Sequence, residues 1–544
     1  GAASRSTFKN LNPVLSILDD GPVLDERAFA CAKAFSAYYG CSLGEAIETF
    51  LPAALRQDKP SLSCAIASAS VKEDSALNTS VALVHDQTRH KRWPFVIERI
   101  QKVIDDGKRA IVLVPEVSFI KETVSILTKA LSCPVVIFDK KLTPAKELEQ
   151  WEQIRKGEFT VVIGTRSAVF APVPDLGLIV VDEEENSAYK QEQSPHYHAH
   201  EVAQMRAGIE QCQLIFVSSL PSAELWEKAR RYKWEQITFQ EDNPGDIQVI
   251  DMDNYNPRKT SILSFPLQSS IQKTLEAKGS VILFMNRLGF STQTHCQQCG
   301  LVLKCQRCNV HLTYLYSKKI MVCRHCNFKM DLPKICPECQ GSYLRSVGTG
   351  VEKLESDVAR LYPHARVHCY DRQSTVFPEQ ADIIITTQAI FRQHERWTAS
   401  LVAILNFDNQ LYHADFRSGH KAFSLLVHLN QLTQKKLIIQ TRMADNYCIQ
   451  AIKSRNFNKF YREELKSRKS LDLPPYKNLV AIGLRGKDES SVFEQCQALY
   501  DRLEESKPSG VVISDPHPDV NPKLRDKYRF TIVLKGKSVK NMLV

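Results

Sequence analysis

Short apolar runs recur between about residues 97 and 231, each four to seven residues long: "RAIVLVP" (109–115), "PVVIFD" (134–139), "FTVVIGT" (159–165), "LGLIVVD" (176–182) and "QLIFVSS" (213–219). Their hydrophobicity is continuous rather than alternating, so both faces of each predicted strand are covered, as in a parallel sheet flanked by helices. Amphipathic stretches at 144–155 and 199–209 supply such helices. The pattern returns in "SVILFMN" (280–286), "ARVHCYD" (365–371), "ADIIITTQ" (381–388), "LVAILNFD" (401–408) and "KKLIIQT" (435–441). Two α/β lobes in tandem follow, over 81–240 and over 241–294 plus 341–450, the second split by an insertion at 295–340.

The flanks read differently. Residues 11–57 look mainly helical, and 58–80 are Ser/Ala-rich and read as linker. A fresh pattern from about 451 has a charged helix (456–469), "DLPPY", the strand "LVAIGLRG", a helix (490–506), and the strands "GVVISD" and "YRFTIVLKG", together a small α+β domain over 451–544. A chain of 544 residues has room for three or four such domains. No apolar stretch approaches the ~20 residues that span a bilayer, and the N-terminus shows no signal-peptide core. The opening "GAAS" lacks an initiator Met and reads as a cloning scar or fragment edge.

Of the 16 cysteines, eight are scattered singly, as buried thiols of a reducing compartment would be. The other eight form four C-x-x-C pairs: Cys296/Cys299, Cys305/Cys308, Cys323/Cys326 and Cys336/Cys339. Each pair can turn two thiolates onto one metal, and a tetrahedron of four thiolates needs two pairs. The cluster therefore predicts two structural Zn²⁺ sites with no coordination position left for catalysis. Seven Lys/Arg against two acids lie between Cys296 and Cys339, a basic balance that suits nucleic acid or a protein partner. The net charge of +10 points the same way without deciding it.

Residues 178–185, "LIVVDEEE", end a buried strand in four carboxylates, where a nucleotide motor holds Mg²⁺. Together with "IVLVPEVSF", "VIGTRSAVFAPVPDLGLIVVDEEENSAYKQEQSPHYHAHEVAQMRA", "ILFMNRLGF", "VGTGVEKLESDVARLYP", "DFRSGHKAF" and "FYREELKSRKSLDLPPY", this makes the sequence resemble the bacterial replication-restart helicase family PriA over nearly its whole length. The resemblance implies two RecA-like lobes of helicase superfamily 2, a two-zinc insert in the second lobe and a small α+β C-terminal domain. By it, the outer pairs (Cys296, Cys299, Cys336, Cys339) share one zinc and the inner pairs (Cys305, Cys308, Cys323, Cys326) the other. It also implies binding of forked or single-stranded DNA, with primosome and helicase-loading proteins and single-stranded DNA-binding protein as partners. A cytoplasmic, nucleoid-associated monomer with no membrane role is the corresponding expectation. Residues 1–57 then correspond to the last portion of the family's N-terminal DNA-binding domain, and its winged helix is missing or reduced to 58–80. Arg166, Tyr189, Lys190, His196, Tyr197 and His198 fall where the family touches DNA, the rings stacking bases and Lys190 meeting phosphate.

The motor parts depart from that pattern. Where the family carries a Gly-rich loop ending Gly-Lys-Thr, this chain has "LVHDQTRHKRWPF" (83–95), with no glycine. Lys91 and Arg92 bring charge near the phosphate position, but bulky side chains do not readily adopt the φ > 0 wrap that bares backbone N–H groups to phosphates. Asp182 and Glu183 survive as vestiges, the Ser-Ala-Thr coupling segment has become "SSL" (218–220), and "HLNQLTQKK" (428–436) lacks the paired arginines. Such a finger is worth about 10³–10⁵ in rate. The sequence therefore predicts a DNA-binding restart protein without ATP-driven unwinding, against bound ATP and Mg²⁺. A divergent 3′–5′ helicase that hydrolyses ATP through Lys91 or Arg92 is the alternative.

Overall fold

The computed structural model describes residues 22–542 apart from 57–79, 89–90, 139–141, 241–244, 255–261, 286–292, 297, 309–311, 316–319, 324–325, 327, 343, 348–350, 372–373, 375, 393–396 and 413–414. The expected linker therefore lies outside the described residues, apart from Ser80. The chain packs as two units, residues 1–218 with 232–238, and residues 219–231 with 239–543.

The first unit begins with helices α1 (Glu26–Tyr39) and α2 (Leu43–Phe50). Ser42 and Glu45 close a reciprocal capping box at the start of α2. The strands β1 (Val81–Asp86), β2 (Arg109–Leu113), β3 (Val135–Phe138), β4 (Val161–Gly164), β5 (Leu176–Val181), β6 (Gln213–Ser218) and β7 (Glu235–Phe239) form one sheet in the order β3-β4-β2-β5-β6-β1-β7. The pairings from β3 through β1 are parallel. Helices α3 (Arg92–Asp105), α4 (Val117–Ala130), α5 (Pro144–Arg155) and α6 (Ala199–Glu210) connect them. Every residue of β4 and β5 is buried, which is why those runs read as continuously apolar. Helix α1 packs on α6, and Phe35 sits fully enclosed with its ring 5.8 Å from Phe170 and 5.9 Å from Tyr197. The buried Trp151 indole N–H donates to the Phe50 carbonyl (3.3 Å), so the N-terminal helices and the sheet share one core.

In the second unit, helix α7 (Ala223–Arg231) stacks Trp226 on Tyr461 at 4.1 Å. Strands β8 (Asp246–Asp251) and β9 (Val281–Phe284) flank helix α8 (Phe265–Glu276). The insert follows as β10 (Gln293–Cys296), β11 (Thr313–Leu315), β12 (Ile320–Val322), β13 (Lys329–Asp331) and β14 (Leu344–Val347), an antiparallel sheet in the order β13-β12-β11-β10-β14. After helix α9 (Val351–Leu361) come β15 (Val367–Tyr370), β16 (Ile383–Thr386), β17 (Ala399–Ile404), helix α10 (Ser418–Gln431) and β18 (Thr433–Thr441). These complete a fully parallel six-stranded sheet in the order β15-β16-β9-β17-β18-β8.

Helices α11 (Tyr447–Lys453) and α12 (Phe457–Ser470) bury Ile449, Phe460, Tyr461 and Leu465 in the core of that parallel sheet. The boundary drawn at 451 thus runs through a shared core, because the charged face of α12 hid its apolar stripe. The separate terminal core instead gathers β19 (Asn478–Gly486), helix α13 (Glu489–Ser506), β20 (Val512–Ile513), β21 (His517–Leu524) and β22 (Lys527–Gly536), with β22 pairing antiparallel to the other three strands.

Candidate nucleotide and metal sites

The end of β1 and the start of α3 stand where the resemblance places a phosphate loop. Asp86, the last residue of β1, is fully buried. One of its oxygens accepts from the Thr88 N–H (2.9 Å) and hydroxyl (2.7 Å), and the other from the Arg92 N–H (2.8 Å) at the first turn of α3. A helix N-terminus with bare amides is an anion site; here the chain's own carboxylate supplies the anion. Arg92 turns inward, 4% exposed, and sets its Nε 2.9 Å and its Nη2 3.4 Å from the two oxygens of Asp182, just past β5. The guanidinium therefore stands on the carboxylate that a metal–phosphate would need. Lys91 is exposed at the helix cap, and residues 89–90 lie outside the described set.

The acid segment is held rigidly. Glu183 adopts φ 48°, a left-handed conformation that costs about 1 kcal/mol for a side-chain-bearing residue. The Glu184 N–H donates to the Val217 carbonyl (3.0 Å), and the Ser218 hydroxyl donates to Glu185 (2.7 Å). Burial pushes the Asp182 carboxyl up to about 6 although Arg92 pulls it down, with Glu183 and Glu185 adding to the rise. It is thus ionised at neutral pH and paired with Arg92.

In the second lobe, α10 ends at Gln431 and β18 starts at Thr433, so the buried Leu432 alone joins them. No arginine stands anywhere between Ser418 and Thr441.

The six residues proposed for DNA divide by burial. Tyr189 is fully enclosed, and its hydroxyl donates to the Asp182 carbonyl (2.6 Å) beside that of Leu113 (3.0 Å). Tyr197 is 6% exposed, with its ring 5.1 Å from Phe170. Neither ring shows a face to a base, so both are corrected from stacking platforms to core: one pins the acid segment, the other holds α1. The half-buried Arg166 donates to the Ala188 carbonyl (3.0 Å) and bonds the Tyr197 hydroxyl. His198 is half-buried, its N–H donating to the Tyr39 hydroxyl (3.0 Å). Lys190 and His196 are exposed, the ammonium donating to the His196 carbonyl at 2.5 Å.

The eight clustered cysteines meet in two groups, Cys296 with Cys299, Cys336 and Cys339, and Cys305 with Cys308, Cys323 and Cys326, all four sulfurs of each within 4.8 Å. Separations of 3.5 Å (Cys296–Cys339), 3.6 Å (Cys299–Cys336) and 3.6 Å (Cys305–Cys326) are far too long for disulfides. They match the edge of about 3.8 Å that a tetrahedron with ~2.3 Å metal–sulfur bonds requires. The Cys299 and Gln298 amides, bonded to its sulfur, bring the Cys296 thiol down to about 7. Both groups fit a tetrahedral thiolate metal, and their pairing is the one the resemblance implied. By contrast the scattered Cys31 and Cys212 are buried, and burial pushes both up to about 12.

Sequence reasoning weighed the lost glycines and missed Asp86 and the pairing of Arg92 with Asp182. An Asp-x-Thr sequence ahead of a helix was the available cue, since such side chains cap orphan N–H groups.

Comparison with known proteins agrees in kind. The description "3'DNA-binding domain (3'BD)" of PriA matches residues 2–52, and "DEAD/DEAH box helicase" matches residues 94–225. The replication restart protein PriA of Chlamydia pneumoniae is 30% identical over 523 residues, covering 91% of this chain and 69% of that one. Those of Synechocystis sp. (strain ATCC 27184 / PCC 6803 / Kazusa) and Bacillus subtilis (strain 168) are 31% and 29% identical, covering 83% and 84% of this chain. The chain spans only 58% and 60% of those two proteins' lengths. Among the described residues no helix is long and apolar enough to cross a membrane.

Proposed function

Because the chain belongs to the replication restart protein PriA family, we propose that it binds forked or single-stranded DNA in replication restart without ATP-driven unwinding. The observation that carries this is the self-filled nucleotide site. Asp86 occupies the helix amides that would take phosphate, and Arg92 occupies the carboxylate that would take Mg²⁺. A nucleoside triphosphate would have to break a buried ion pair and displace a buried carboxylate before making any contact of its own. The direct passage from α10 to β18 supports the same reading, because it offers no loop for a charge-stabilising arginine. The DNA contact rests on the N-terminal match to a 3′DNA-binding domain and on the exposed Lys190 and His196.

Two Zn²⁺ ions are assigned to the two four-cysteine groups, where they supply structure rather than chemistry, all four positions being thiolate. Primosome components, helicase-loading proteins and single-stranded DNA-binding protein are the protein partners we propose.

The deciding experiment is thermal unfolding with and without Mg·ATP, beside an ATPase assay with forked DNA. A bound nucleotide at 100 times its Kd would stabilise by about 2.7 kcal/mol. No shift and no DNA-stimulated hydrolysis are expected. Hydrolysis abolished by Asp182→Asn would establish the divergent helicase instead.

A further inference from the structure

The tip of the β21–β22 hairpin is built unusually. Leu524 pairs with Lys527, leaving Arg525 and Asp526 as a two-residue turn, both with positive φ (51° and 62°). Turns of this type favour Asn-Gly or Asp-Gly, since consecutive left-handed residues are costly for side chains. In such a turn the N–H groups of the two central residues have no partner within the hairpin. Here both are handed to the insert. The Asp526 N–H donates to the Arg307 carbonyl at 3.2 Å, and the Arg525 N–H bonds the sulfur of Cys308. Leu524 adds an apolar contact against the cluster formed by Leu303, Cys305, Cys308, Leu312, Met321 and Cys323. The side chains of Arg525 and Asp526 stay exposed, so the backbone makes this contact.

A divalent metal with four thiolates carries a net charge of −2, and successive turn amides form a concave site for an anion. We propose that the 524–527 turn is an outer cap on the inner Cys305/Cys308/Cys323/Cys326 centre, so that metal binding there and docking of the terminal sheet on the insert are thermodynamically coupled. This inference rests on the metal assignment above. Donors outside the ligand shell change metal affinity about 10- to 100-fold in other sites. The strained turn is accounted for by the partner it reaches.

The test uses the full-length chain. In a Cys336→Ala background, which leaves only the inner metal, two glycines inserted between Arg525 and Asp526 should speed metal release to a chromogenic chelator about tenfold. Arg525→Ala, which keeps the amide, should release at the parental rate. In a Cys323→Ala background, which leaves only the outer metal, the same insertion should have no effect. Hydrogen exchange gives the reciprocal measurement: Cys323→Ala should release the Arg525 and Asp526 amides while those of Ile482 and Ile532 stay protected, and Cys336→Ala should release neither. Unchanged release from the lengthened turn, or protected tip amides after loss of the inner metal, overturns the cap. Equal acceleration by Arg525→Ala also overturns it, by assigning the contact to the guanidinium. Elemental analysis showing no metal at all defeats the metal assignment itself, a distinct failure.

Discussion

Replacing Arg92 by Met tests the plugged site most directly. Methionine approximates the length of the arginine stem but leaves Asp182 without its cation. The two side chains are 4% and 3% exposed, and removing one partner of a buried pair costs about 3–5 kcal/mol. The loss should depend on pH in a defined direction. An unfolded Asp titrates near 3.9, whereas folded Asp182 is pushed up to about 6 by burial, so the native state holds more protons in between. Its contribution to stability is therefore greatest below about pH 4, falls as pH rises towards 6, and then levels. Without Arg92 the folded carboxyl climbs further, and the variant keeps losing stability above pH 6, where the wild type no longer does. The deficit should be small near pH 5 and grow with one proton's linkage, about 1.4 kcal/mol per pH unit above 6, to roughly 2.7 kcal/mol by pH 8. Urea titrations at both pH values, with pulsed hydrogen exchange read at the Leu176–Val181 amides of β5, measure this locally. Adding Asp182→Asn should recover at least half of the loss at pH 8, since the two residues are directly coupled. Equal deficits at the two pH values, with no recovery in the double variant, would refute the plug.

Cys305→Ala and Cys336→Ala should each lower the metal content from two ions to one per chain, with the other group undisturbed; a loss of both from either substitution would contradict two separate sites. Lys190→Glu should weaken single-strand binding, more at low salt than at high, and reduce the slope of log affinity against log salt by about one. An equal loss at every salt concentration would deny a phosphate contact. Phe35→Ala, which empties the fully enclosed position beside Phe170 and Tyr197, should cost about 3–5 kcal/mol. Proteolysis between α1 and α2 should then become fast, while the sheet of the first lobe stays resistant. Slow cleavage would mean that this ring does not hold the N-terminal helices.

Local pattern was enough for β2–β6, β9 and β15–β18, because a parallel strand covered on two faces must be largely a run of Val, Ile and Leu; β1, β7 and β8 were not read from it. The four C-x-x-C pairs likewise named two metal groups, since a tetrahedron of thiolates has few spacings. The absence of glycine from residues 83–95 was also legible. The contacts made there were not: Asp86 and Arg92 are six residues apart, yet Asp182 reaches Arg92 only through the adjacency of β1, β6 and β5 in the sheet. Burial decided the fate of Tyr189 and Tyr197 in the same way, since an aromatic residue in a loop reads alike whether it faces DNA or α1. The cap on the inner cysteines was further still from view, because it is made by backbone amides about two hundred residues away in sequence, and backbone groups leave no signature in the side-chain code.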